Sequence, residues 1–235
     1  MPDINDFIGG FKILLKRSGV ATFEFHHVLK LLQLNQFDAI YHEHYYYHSL
    51  LTFQKILSSH GLEVFDVEQI PTHGGSLRVY AKHAGFAGHR RTDRVDAVLA
   101  QEIAAGLDTL APYLKLEGDI RKMKRTFLKL VIEAKEAGKT IVAYGAAAKA
   151  NTLLNYTGVG RDFIDYVVDK STHKQGHCLP GVGIPILAPD KIFETRPDIV
   201  LILAWNLADE VEAQMAGIRA WGGQFLTLIP KVRLF

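Results

Sequence analysis

Apolar and polar positions follow two different periods along this chain, and the period changes at glycines and prolines. Residues 7–15 read as a short amphipathic helix stopped at Ser18-Gly19. Residues 20–25 read as a strand of β-branched and aromatic residues. Ser49 stands where an N-cap belongs, ahead of a helix over 50–59 whose apolar positions are Leu51, Ile56 and Leu57. Gly61 supplies its stop. Strands over 62–70 and 77–83 follow, separated only by Pro71-Thr72-His73-Gly74-Gly75-Ser76. The absence of a helix between them predicts an antiparallel pair at the end of a sheet.

Residues 84–92 are short, basic and glycine-containing, which suits a linker. Helical spacing then runs over 93–137, with a break near Pro112 or Gly118 and a stop at Gly138. Clean alternation follows: strand 140–144, helix 147–155, strand 163–168, a Gly/Pro-rich loop at 176–185, helix 189–194, strand 199–203, helix 208–220 and strand 224–228. Such alternation predicts an α/β fold with a parallel sheet covered on both faces.

Composition narrows the function classes. The chain is 48% hydrophobic and 22% charged, as globular domains are. Its 27 Lys and Arg against 25 Asp and Glu leave a charge of +2, too small a surplus to predict a nucleic-acid binder. The basic run Arg121-Lys122-Met123-Lys124-Arg125 reads as a solvated helix face. With Cys178 alone, the chain makes no internal disulfide and no thiolate zinc cluster. No apolar run reaches the roughly 18 residues of a membrane span, and no signal-peptide pattern opens the sequence. Asn155-Tyr156-Thr157 matches a glycosylation sequon, but nothing routes it to a secretory compartment. The expectation is a soluble, cytoplasmic protein without nucleic-acid or membrane partners.

Two stretches carry candidate chemistry. The first, IVAYGAAAKAN at 141–151, is an apolar strand running through a small-residue turn into a helix. Small residues admit a phosphate close to the backbone, and the helix start offers free N–H groups. Gly145, Lys149 and Asn151 are therefore substrate-binding candidates, with Asp169 at the end of the next strand. Only Gly145 stands where a dinucleotide fingerprint has three glycines. The alternative is that the alanines merely let the helix pack on the sheet.

The second stretch, FDAIYHEHYYYH at 37–48, follows a strand end. His44 and His48 are spaced to share a helix face, which would suit a metal, but no outside ligand is identifiable and none is expected. Acid–base chemistry is a second reading: His44 takes a proton, Glu43 orients substrate and Tyr41 stabilises an oxyanion. Aromatic packing is the third, and it suits Tyr45, Tyr46, Tyr47 and His48 better than the first three residues.

Three motifs in one order, FDAIYHEH (37–44), PTHGGSLRV (71–79) and YGAAAKANTLLN (144–155), resemble the S-adenosylmethionine-dependent sugar C-methyltransferases, which act on nucleotide-linked keto-deoxysugars. The resemblance implies that residues 1–83 are the last portion of a methyltransferase Rossmann sheet. Residues 84–235 would form the C-terminal Rossmann-like domain. It also implies S-adenosylmethionine as cofactor, although the family's glycine-rich cofactor loop and zinc cysteines have no counterpart here. A missing N-terminal segment is the expected partner, beside a nucleotide-diphosphate sugar. On the resemblance His44 and Tyr41 are the base pair, Glu43 meets the sugar, and the turn from Gly145 to Asn151 holds the pyrophosphate. Asn206 reaches the same ligand, and Asp169, His73 and Ser76 are further contacts. The competing readings are a nicotinamide-dependent oxidoreductase and a non-catalytic nucleotide-sugar-holding subunit.

Overall fold

A computed structural model describes residues 3–235. The chain divides into two compact units: one runs to Gln33 and resumes over His42–Leu116, the other joins Leu34–Tyr41 to Glu117–Phe235.

The first unit opens with α1 (Ile4–Leu14), which starts earlier than its apolar spacing predicts because Asp3 caps it. The Asp3 carboxylate accepts from Asn5 N at 2.9 Å and Asp6 N at 3.1 Å. Then come β1 (Ala21–His26), α2 (Val28–Gln33), α3 (Leu50–Ser59), β2 (Leu62–Ile70), β3 (Ser76–His83) and α4 (Asp93–Ala104). The short α2 is not visible as a pattern in the sequence. Helix α3 has the expected bounds and its Ser49 cap, but it buries Leu50, Phe53 and Leu57, with Leu51 and Ile56 only half-buried. The β2–β3 pair is antiparallel, as expected, and β3 also takes β1, giving the order β1-β3-β2. Ile8, Phe53, Leu57, Val95 and Val98 from the helices pack with Phe23, Val64, Val67 and Val79 of the sheet.

Residues 84–92 are not a free linker. Lys82 is buried, pairs with Glu63 at 2.9 Å and donates to Phe86 O and His89 O at 2.5 and 2.6 Å. Thr92 N adds a bond to Phe65 O at 2.9 Å. Helix α4 therefore stays with β2 in the first unit, and the change of unit falls inside α5 (Ala111–Glu136). The helix break lies at 105–110, around Gly106 with φ of 75°. Pro112 falls in the first turn of α5, where its missing N–H leaves no ladder bond unmade, and Gly118 is carried inside the helix.

In the second unit α5 is followed by β4 (Ile141–Tyr144), α6 (Ala148–Thr157), β5 (Val167–Val168), β6 (Ile186–Leu187), α7 (Lys191–Thr195), β7 (Ile199–Ile202), α8 (Ala208–Gln214), β8 (Gln224–Thr227) and β9 (Arg233–Leu234). β4 and β7 are buried along their whole length, as strands of a doubly covered parallel sheet are. The order is β6-β5-β4-β7-β8-β9, parallel except for β9. The expected strand over 163–168 shrinks to β5, because Phe163 N and Ile164 N turn back onto Gly160 O. The expected helix over 208–220 becomes α8 and a 3-10 turn, Ala216–Trp221, in which Gly217 lets the Phe193 ring approach. No helix among the described residues is long and apolar enough to cross a membrane.

Candidate active site

Strand order in the second unit reverses between β4 and β7, since β5 and β6 extend one side and β7 and β8 the other. In an open α/β sheet a ligand sits beyond the carboxyl ends of the strands at this switch. There the chain places Gly145 and Ala146 after β4, and Ala204, Trp205 and Asn206 after β7. Gly145 has φ of 100°, and a Cβ on it would stand 3.2 Å from the Ala204 Cβ. The turn therefore needs glycine both for its backbone and for its approach to β7. No side chain caps α6, whose start follows directly, and an uncapped helix start is a place where an anion can bind.

Asp169, at the end of β5, is bonded within the turn. Its carboxylate accepts from Ala146 N at 2.7 Å and Ser171 N at 2.8 Å, with Lys174 Nζ at 3.4 Å. It thereby shapes the turn rather than presenting both oxygens outward. Asn151, in the first turn of α6, has a buried Oδ1 without a hydrogen-bond partner among the described residues. Asn206 is exposed in the 3-10 turn Trp205–Leu207.

Lys149 lies 5.3 Å from the centroid of the Trp205 ring. The Trp205 indole N–H donates at 2.7 Å to Oδ2 of Asp38, a residue of the short 3-10 turn Phe37–Ala39 that belongs to this unit. Phe37 beside it meets the Tyr156 ring of α6 at 5.0 Å. Asp38 is fully buried, and its Oδ1 has no hydrogen-bond partner among the described residues. Burial pushes the Asp38 carboxyl above its ordinary range, against the pull of the Trp205 bond and the Lys149 charge. Burial likewise holds the Lys149 ammonium below its ordinary range, with Asp38 opposing. Asp38 stands inside the FDAIYHEH motif with no sign of a role in the sequence. A lone Asp beside Phe37 looks like a turn residue, and its partner Trp205 lies 167 positions away.

Tyr41 follows three residues later and is half-buried, Glu43 is exposed and His44 half-buried. The stretch has no helix, so the four-residue spacing of His44 and His48 does not place them on one face. The His44 ring lies 6.3 Å from that of Tyr47. His48 does pack: its ring meets Phe25 and Phe53, each at 5.4 Å, and stacks on Tyr46 at 5.5 Å. Burial there lowers the proton affinity of His48. Tyr45, in contrast, is exposed. His73 sits exposed on the β2–β3 turn with φ of 56°, a left-handed conformation uncommon for a side-chain-bearing residue. The Ser76 hydroxyl is buried and donates to Thr72 O at 3.1 Å.

Residues 71–230 match the C-methyltransferase C-terminal domain family. Over 234 residues the chain is 36% identical to the C-methyltransferase NovU of Streptomyces niveus, a match covering 100% of this chain and 56% of that protein. The chain thus spans little more than half the length of this curated relative. A doubly wound sheet, carried on a sequence that matches over its whole length, places the chain in the C-methyltransferase family.

Proposed function

We propose that the chain takes part in C-methylation of a nucleotide-linked keto-sugar. The observation that carries this reading is the uncapped start of α6 behind Gly145, at the reversal between β4 and β7. An uncapped helix start suits a diphosphate, with Lys149 and Asn151 on the same turn of helix. His44 removes a proton from the carbon beside the ketone. The C–H electron pair becomes the enolate double bond, and the carbonyl oxygen takes the negative charge. The Tyr41 hydroxyl donates to that oxygen, and the Glu43 carboxylate accepts from a sugar hydroxyl. S-adenosylmethionine would supply the methyl group, its S–CH3 bond breaking with the electron pair left on sulfur as the new C–C bond forms. The described residues of the first unit include no glycine-rich turn from a parallel strand into a helix, the kind of turn that cradles such a cofactor. Their left-handed glycines, Gly61, Gly74, Gly75, Gly85 and Gly106, open no helix after a parallel strand.

Proton removal is tested without a methyl donor, by following deuterium uptake from solvent at the carbon beside the ketone. His44→Ala is expected to lower the rate by about a hundredfold and Tyr41→Phe by less. Uptake unchanged in His44→Ala would exclude that residue as the base. Calorimetric titration of one sample with a nucleotide diphosphate and with S-adenosylmethionine is expected to show binding of the first and little of the second. Micromolar cofactor binding by this chain would overturn that part of the reading. Diphosphate binding without deuterium uptake would favour the holding-subunit reading. A nicotinamide-dependent reaction is disfavoured because Asp169 is already bonded to the Ala146 and Ser171 amides.

A further inference from the structure

The stretch that carries Glu43 and His44 leads into a buried polar cluster of the first unit. Glu102, near the end of α4, is fully buried, and so is His27 just after β1. Both carboxylate oxygens of Glu102 are used. Oε1 accepts from Leu50 N at 2.6 Å and from His27 Nε2 at 2.8 Å, and Oε2 accepts from Leu51 N at 2.8 Å. Leu50 and Leu51 open α3, and Ser49 Oγ already takes the amide of Thr52 at 3.0 Å. A carboxylate has no proton to give, so the His27 Nε2 carries the hydrogen of their bond. Backbone bonds extend the cluster: His27 N donates to Gly75 O, and Val28 N to His48 O, both at 3.1 Å.

An ordinary helix start is satisfied by one short polar cap. Here a residue 52 positions away enters the core to take two amides and a histidine, and burying a carboxylate is costly unless its oxygens are fully bonded. Those bonds converge on one place. They fix His48-Ser49, where the irregular stretch with His44 ends, against the strand end at His27 and the turn that carries His73. His44 itself lies in no helix or strand, so the fastening of the stretch contributes to its placement.

We propose that Glu102 and His27 are a positioning pair that holds the 42–49 stretch so that His44 meets the proton it removes. The proposal rests on the reading of His44 as the base, and the test separates the two. Glu102→Gln keeps the size of the side chain but leaves it a single acceptor oxygen in place of two. In the full chain, amide hydrogen exchange is expected to quicken roughly tenfold or more at 42–51 while β2 and β3 keep their protection. Deuterium uptake by the keto-sugar is expected to slow by about ten- to a hundredfold with little change in KM, the signature of a misplaced base rather than lost binding. Glu102→Asp, which restores the charge, is expected to recover part of the rate. His27→Phe, which keeps the two backbone bonds to Glu102, is expected to move both readings the same way by less. It decides the matter if Glu102→Gln does not fold. Unchanged exchange at 42–49 in folded variants overturns the proposal, as does unchanged uptake when that stretch has loosened. A wild-type chain that takes up no deuterium sinks the proposed function instead, and amide exchange still decides whether Glu102 holds the stretch.

Discussion

Two fully buried carboxylates, Glu102 in the first unit and Asp38 in the second, sit in opposite circumstances. Glu102 accepts from two helix amides and a histidine, so its charge is met on both oxygens. Asp38 accepts from the Trp205 indole on Oδ2, with smaller support from the Ala39 and Asp38 amides, while Oδ1 has no hydrogen-bond partner among the described residues, and Lys149 answers its charge at longer range. Low polarity strengthens a complete set of bonds and penalises an incomplete one. The first arrangement makes a rigid fastening. The second leaves a group whose charge is negotiable, set beside the switch point where a charged ligand is expected.

Truncation is the sharpest way to break this contrast. Glu102→Ala is expected to destabilise its unit by about 3–5 kcal/mol, because two buried amides and His27 all lose their acceptor. Asp38→Ala is expected to cost about 1–3 kcal/mol, the order of one buried indole left unpaired. Asp38→Asn still offers Trp205 an oxygen and sheds a disfavoured charge, so its effect is expected to stay within about 1 kcal/mol. Denaturant melting of the three variants checks the ranking. Equal costs for the two alanine variants would mean that the number of bonds is not what separates the sites.

The dependence on pH is a subtler probe. Asp38 is raised in the folded chain, chiefly by burial, so folding favours its protonated form. The stability it contributes is fully present below the ordinary aspartate value of 3.8 and is lost as pH rises through the raised one. Asp198 runs the other way. Bonds from the Thr140 amide and hydroxyl, at 2.8 and 2.9 Å, hold it below the ordinary range. Its contribution is present above that range and is lost as pH falls. Melting of wild type against Asp38→Asn and against Asp198→Asn, followed across the acid range, is expected to give differences that move with pH in opposite directions. Parallel curves would show that burial is not what governs Asp38.

Much of this architecture was legible in the sequence, and the failures have physical causes. Helix α3 was readable to the residue because Ser49 and Gly61 mark its ends. β4 and β7 were readable because continuous apolar runs between helices mark buried parallel strands. β6 and β9 were not, since a two-residue strand shows no period and is created by its neighbours. The turn at Gly145 was legible, its neighbour Asp38 only as part of a motif. Glu102 left one trace: with Val95 and Val98 it completes the buried stripe of α4 at positions i, i+3 and i+7, where a solvent-facing glutamate would not stand. Its partners could not be read, because Leu50 and Leu51 contribute backbone amides, which every residue except proline carries.

The smallest expected effect separates the two carboxylates by ligand binding. Lys149 is held over the Trp205 ring and beside Asp38, so a diphosphate must compete with a buried anion for its charge. Lys149→Ala is therefore expected to weaken nucleotide diphosphate binding by only about three- to tenfold, the order of one charge-assisted bond partly offset. The loss is expected to be somewhat larger at low salt, with a shallow dependence because a half-buried charge is screened less than an exposed one. Asp38→Asn removes the competitor and is expected to tighten diphosphate binding by a few-fold, whereas Glu102→Gln, whose bonds all lie within the first unit, is expected to leave it unchanged. Calorimetry on the three variants at two salt concentrations measures all of this. If Asp38→Asn weakens binding as Lys149→Ala does, the aspartate holds the lysine in place for the phosphate instead of competing with it, and the two carboxylates are then both fastenings.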